Sequence, residues 1–460
     1  MIASSGPTTV DLVIRHGHVL TVNAGDDEIL DGAVAIDKGR IVAVGATAVV
    51  DEGCRGRASI DALGAVVRPG SIDAHIHVSQ YTSRSVLPRM GNGPINMGHW
   101  KAELRPEDEH ASASLASIDY LRCGFTGFVD PGTIFEPDAV ARVAVELGIR
   151  IWLTDPYVAD LGRNLGEMNP ELVAARFLAR WPSSTEGAAR RVGSQLWRNA
   201  DAHSLVRAFV GIYGEFTESD ALRAHAFKIA HANGVQFQQH LGYTPAAYRD
   251  QAARLGRTPL AEIDRLHGLA PDITLVHMND VGPDDEALLL KGQARLVWCP
   301  YGTLQAIGVG DSRNRMSALS QKGARVAAAT DIPRVVNFDA LASMAIGCGA
   351  ATGSPLGPHQ VLRMLTCDAA ASVGADKMTG SIEVGKSADI VVHRPLELGV
   401  DACWESVVLG GRHGIDKVLV AGRSLVDNGR LTCADEGAIV ETASRSITGL
   451  LSRIALAIQK

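Results

Sequence analysis

Apolar and polar positions alternate along this chain in two textures. From 10 to 66 the apolar runs are short and β-branched, with turn residues between them. Val10–Val22 is mostly apolar, and Ala33–Asp37 and Ile41–Gly45 are joined by Lys38-Gly39-Arg40, which reads as a hairpin. The same texture returns near the end. Ala388–His393 and Val418–Val420 are strand-like, and Ala421-Gly422-Arg423 turns into Ser424–Val426. Between these ends lie eight short apolar runs: Ala65–Val67, Gly124–Val129, Arg150–Thr154, Val206–Ile212, Val235–Gln239, Ile273–Val276, Arg295–Trp298 and Arg325–Ala329. Most are separated by helix-like segments. Pro106-Glu107-Asp108-Glu109 opens one that ends near Arg122, and Glu218–Asn233 is another, stopped by Gly234.

Eight strands alternating with helices predict an α/β fold, a parallel (β/α)8 TIM-type barrel. An open doubly wound sheet would call for a glycine-rich phosphate loop after an early strand, and the chain has no GxGxxG or Walker A sequence. The expected organisation is a small β-sandwich built from 1–66 and 381–435, split by a barrel over 67–380, with a terminal helix over 436–460.

Composition narrows the function. The 460 residues are 46% hydrophobic and 21% charged, ordinary for a globular chain and ample for a barrel of about 250 residues plus a second domain. The net charge of -7, with no run of Lys or Arg, argues against nucleic acid and anionic membrane surfaces. No segment approaches the roughly 18 apolar residues of a membrane helix, and the N-terminus lacks the pattern of a secretory signal. The seven cysteines form no CxxC pair, which suits reduced thiols in the cytoplasm.

The candidate chemistry sits at strand ends. In Pro69-Gly70-Ser71-Ile72-Asp73-Ala74-His75-Ile76-His77, residues i and i+2 of an extended strand face one way, so His75 and His77 point together into the barrel mouth. His240 follows the fifth run, His277 the sixth and Asp331 the eighth. Barrel active sites are built at the C-terminal ends of the strands. Imidazoles with a carboxylate suit one divalent ion, zinc first, with cobalt, manganese and iron as alternatives. A second HxH, His16-Gly17-His18, has no such partners and reads as surface or turn.

The order HxH, His, His, Asp resembles the amidohydrolase superfamily, in the branch of triazine hydrolases and cytosine-type and adenosine-derivative deaminases. The resemblance covers nearly the whole chain: Val13–Val19, Arg68–His77, Cys299-Pro300 and Gly380–Val392 match the family's first strand, signature, seventh-strand end and return to the β domain. It implies that His75, His77, His240 and Asp331 bind the metal, that Asp331 also shuttles the proton, and that His277 polarises the substrate. No lysine ends the fourth strand, and Lys228 lies inside the following helix, so one metal is expected. A bound Zn²⁺ lowers the pKa of its water to about 7. Relatives commonly assemble, so a homo-oligomer acting on a small molecule is expected.

The chain departs from that branch at two places. The deaminases and triazine hydrolases usually carry a Glu three residues after the fifth-strand His, which moves protons on a ring nitrogen. Here that position is Tyr243. After Cys-Pro-x the family commonly has Ser-Asn, and this chain has Gly302-Thr303. The missing acid favours hydrolysis of an amide, urea, carbamate or thiocarbamate, as in the phenylurea hydrolases and the thiocarbamate (molinate) hydrolase, which the chain resembles overall. The alternatives are a heteroaromatic deaminase using another acid, Glu215 for example, and a non-catalytic barrel kept for binding. Tyr243, Trp100, Asn96, Asp155 and Tyr301 are the candidate substrate contacts, with Gln80, Tyr81, Asn92 and Tyr157 behind them.

Overall fold

The computed structural model describes residues 7–86, 95–168, 174–308, 313–332, 337–394 and 403–459. Asn92 lies outside them. The eight barrel strands are Ser71–Asp73, Phe125–Val129, Arg150–Leu153, a fourth split into Val206–Ala208 and Val210–Gly214, then Phe237–Leu241, Ile273–His277, Arg295–Trp298 and Val326–Ala328. All neighbours pair in parallel. The ring closes at the functional end. Ile76 bridges Asp331, the His77 amide donates to the Asp331 carbonyl, and the Asp331 amide donates to the His75 carbonyl, each at 2.9 Å.

Alternation along the strands sorts the core. Val276, Val297, Ala327, Trp152 and Phe209 fill the inside, where Ala369, Ala370 and Val373 pack against them. Leu275, Leu296, Val326, Ile151 and Val210 face outward onto the helices. The helix expected from Pro106 spans Pro106–Arg122. The one expected over Glu218–Asn233 runs Asp220–Ala232, with Ser219 accepting from the Leu222 amide as its cap and Lys228 on its exposed side.

The terminal segments share one sheet. Thr8–Leu20, Glu28–Asp37, Arg40–Ala46 and Cys54–Asp61 join Ile390–His393, Ile415–Val420, Arg423–Asp427 and Arg430–Leu431 in a nine-stranded sheet. The ninth member corrects the sequence reading. The run near Ala65–Val67 was expected to open the barrel, yet Val66–Pro69 pairs with Thr8–Leu20 and Ile390–His393. It is the splice between the two halves of the outer domain, and the barrel starts at Ser71. Both environments bury a strand on both faces, so periodicity does not separate them. The C-terminal helix, Glu436–Ile458, buries Leu450 and Ile454 against Trp100, Met97 and Leu104. Each such aliphatic side chain contributes about 1.5–3 kcal/mol. Among the described residues no helix is long and apolar enough to cross a membrane, and the six cysteines whose side chains are described are free.

Candidate metal centre

Five side chains converge where the barrel closes. The ligand atoms of His75, His77 and His240 lie within 4.8 Å of one another, as do those of His75, His277 and Asp331, and all five residues are buried. His240 Nε2 is 3.1 Å from His75 Nε2. Asp331 Oδ1 lies 3.0 Å from His77 Nε2 and 3.7 Å from His75 Nε2. Donors bound to a tetrahedral zinc at about 2.0–2.1 Å sit about 3.3 Å apart, so these separations bracket the spacing an ion requires.

The protonation states agree. Burial, then the nearby imidazoles, hold His75 well below the usual histidine value. Burial takes His240 down to about 4 and His277 to about 3. These imidazoles are neutral at pH 7. His240 Nδ1 donates to the Tyr213 carbonyl at 2.5 Å, which leaves Nε2 as a lone pair aimed at His75. A cation between the rings is bound by both Nε2 lone pairs, with the His75 proton on Nδ1, toward the side-chain amide of Gln238. The donor set fits a divalent ion.

The supporting frame is specific. Asp73 accepts from Tyr120 Oη at 2.6 Å, from Thr330 Oγ1 at 2.5 Å and from the Thr330 and His75 amides, which ties the first strand to the eighth just below the ligands. His277 at φ 83° and Asp331 at φ 60° both hold left-handed backbone. Such strain in non-glycine residues costs of order 1–3 kcal/mol each and gathers at functional sites.

The profile of the amidohydrolase family matches residues 66–425. The chain belongs to that family. It is a metal-dependent amidohydrolase, a hydrolytic enzyme acting on carbon–nitrogen bonds. Over 459 residues it is 24% identical to the 5'-deoxyadenosine deaminase of Methanosarcina acetivorans, covering 96% of this chain and 99% of that one. A zinc-bound adenosine deaminase from Xanthomonas campestris superposes with a TM-score of 0.81 at 23% identity, over 97% of this chain and 100% of the other. The zinc complex of atrazine chlorohydrolase from Arthrobacter aurescens TC1 gives 0.75 at 20% identity, over 95% and 100%.

Of the expected substrate contacts in this amidohydrolase, the structure brings Tyr243 to the cluster. Its ring meets the His277 ring edge-on at 4.9 Å. Gly302 explains how. A Cβ there would stand 3.1 Å from Asp331 Oδ2 and 3.5 Å from Tyr243 Cε2, so the glycine leaves the carboxylate room beside the tyrosine. Trp100 instead packs on the C-terminal helix, with its indole N–H toward the Ser79 carbonyl. Asn96 caps a short helix by accepting from the His99 amide. Asp155 accepts from the Gly193 and Gln195 amides and Ser194 Oγ, which anchors a loop. Tyr301 is half-buried on the helix Pro300–Ile307, its hydroxyl accepting from Gln305. His16 and His18 pair with Asp31 and Glu28 in the outer sheet, in keeping with a surface role.

Sequence reasoning missed what holds Tyr243. Its amide donates to Glu215 Oε1 at 2.7 Å, and its carbonyl accepts from Asn279 Nδ2 at 3.0 Å. Thr303 Oγ1 in turn donates to Asn279 Oδ1 at 2.7 Å. Glu215, the acid proposed from sequence as a substitute, thus grips the loop after the fifth strand. Its Oε2 is buried without a partner, and burial raises its carboxyl to about 7. Gln238 was also missed. It precedes His240 by two on the inner side of the strand, its amide buried without a settled partner and within reach of His75.

Proposed function

We propose that this enzyme is a hydrolytic deaminase that replaces the exocyclic amine of a small aminated heterocycle, an adenosine derivative in the first instance, by oxygen. The observation that carries the reading is the end-to-end similarity to proteins named as deaminases combined with a complete set of converging metal donors. It favours deamination over the urea-type hydrolysis expected from the missing acid. In the balanced reaction water adds to the ring carbon, the carbon–nitrogen bond breaks, and ammonia leaves.

A bound divalent ion, with zinc the first choice, would supply water activation and stabilisation of developing negative charge. The chain does the rest. Asp331 takes a proton from the attacking water at its carboxylate and returns one to the departing nitrogen. His277, neutral and edge-on to Tyr243, donates a hydrogen bond to the reacting group. Tyr243 stands where relatives carry an acid, and its hydroxyl donates to the ring nitrogen that gains electron density. Glu215, Asn279 and Thr303 fix the backbone that carries it.

A second reading keeps its footing at the same position. A phenol is a far weaker acid than a carboxyl, and cleavage of a urea or carbamate needs no proton on a ring. Product analysis decides between the two. Metal-quantified enzyme is given an adenosine derivative, an aminotriazine, an aminopyrimidine, an N-aryl urea and a thiocarbamate. Ammonia from a ring compound supports deamination. Aryl amine or thiol release without ammonia from the rings would replace it with the urea-type reading.

A further inference from the structure

Where the barrel meets the outer domain, Arg68 is 3% exposed. Its Nη1 donates to the Pro69 carbonyl at 2.9 Å and to Ser71 Oγ at 3.2 Å, and its Nε has no partner. Among the described residues no carboxylate forms an ion pair with it. The group faces a small cavity of about 30 Å³, lined among others by Ser71, Cys123, Phe125, Phe338 and Asp339. That volume holds one or two water-sized spheres.

The surrounding charges do not balance Arg68. Asp339 Oδ2 is bound by Arg412 Nε at 2.7 Å, and its Oδ1 accepts from the Cys123 thiol at 2.6 Å. That carboxylate is matched by its own cation. Burial pushes the Cys123 thiol up, so it is not a thiolate. His393 is neutral, held at about 4 first by burial and then by the Arg68 charge. One full positive charge therefore remains in a water-poor junction, and an isolated buried ion costs several kcal/mol unless it is paired.

We propose that this cavity is a binding site for a monatomic anion, chloride being the halide at hand, which pairs with Arg68 and strengthens the junction between barrel and outer domain. The ring of Phe338 and the aliphatic walls from Leu362, Leu365 and Val407 favour a large, weakly hydrated ion over a strongly hydrated one.

The test uses the whole metal-loaded enzyme. Chloride is exchanged for gluconate at constant ionic strength while Tm is followed, and crystals are soaked in bromide. The expected results are a saturable rise of about 2 °C with chloride and an anomalous bromide peak beside the Arg68 guanidinium. Arg68→Met should lose the chloride response. If that variant does not fold, the bromide peak in the natural protein decides. Water in the cavity after the soak, with bromide elsewhere only, or a Tm indifferent to chloride, overturns the proposal.

Discussion

Two buried polar clusters in this enzyme look alike by composition and differ in how their atoms are satisfied. At the junction with the outer domain, Arg150 Nε and Nη2 donate to the two oxygens of Asp389 at 2.6 and 3.1 Å. The same carboxylate accepts from Thr379 and Ser387 side chains and the Ala421 amide, at 2.7, 3.0 and 2.8 Å. At the other cluster, the ligand atoms of neutral imidazoles and a carboxylate converge on one another, and His277 Nδ1 finds no partner among the described residues. A closed network holds a fold together. A convergent set of imidazole and carboxylate ligand atoms is completed by a cation.

The comparison breaks at its functional end if Asp331→Asn or His75→Ala leaves turnover intact. Either should lower kcat/KM by more than about 10³-fold, while circular dichroism and Tm report a folded protein. At the structural end, Arg150→Met strands the Asp389 carboxylate and should cost about 3–5 kcal/mol in urea unfolding, with metal content per folded molecule unchanged. The pH dependence follows the same network. The Arg150 charge and the hydrogen bonds overcome burial and hold Asp389 below its ordinary 3.8. Its contribution is therefore present above pH 3.8 and is lost as the pH falls through the lower folded value. Urea midpoints of the natural protein and Asp389→Asn, compared between pH 5 and pH 2, should converge on acidification.

Smaller effects sharpen the boundary between the two kinds of cluster. Gln238→Leu should weaken zinc binding about tenfold in a chelator competition, because the amide that orients His75 is gone. An unchanged metal affinity would assign Gln238 to barrel packing. Tyr243→Phe should alter KM and kcat several-fold with full metal content, and loss of metal in that variant would place Tyr243 in the ligand frame instead of the substrate pocket.

Much of the site was legible because metal ligation demands particular residue types at strand ends. His75, His77, His240, His277 and Asp331 were all found that way, and the structure gathers all five. The residues expected to touch substrate fared differently. Trp100 sits on the short helix Met97–Ala102, Asn96 caps that helix and Asp155 anchors a loop; these residue types suit a pocket and a structural role equally well, and local hydrogen bonds and the C-terminal helix hold them. The first barrel strand was misplaced by a few residues because a strand buried in a mixed sheet and one buried in a barrel share the same apolar run.

The sequence by itself pointed to the barrel, the pairing of the terminal β segments, the candidate metal donors and the absence of an acid at position 243. Periodicity and residue chemistry are local and survive in one dimension. Only the tertiary structure decided that Glu215, Asn279 and Thr303 clamp Tyr243 against His277, that Gly302 clears the space beside Asp331, and that Arg68 meets no carboxylate partner among the described residues. Each depends on which atoms meet across distant segments of the chain, and on which buried groups fail to meet a partner.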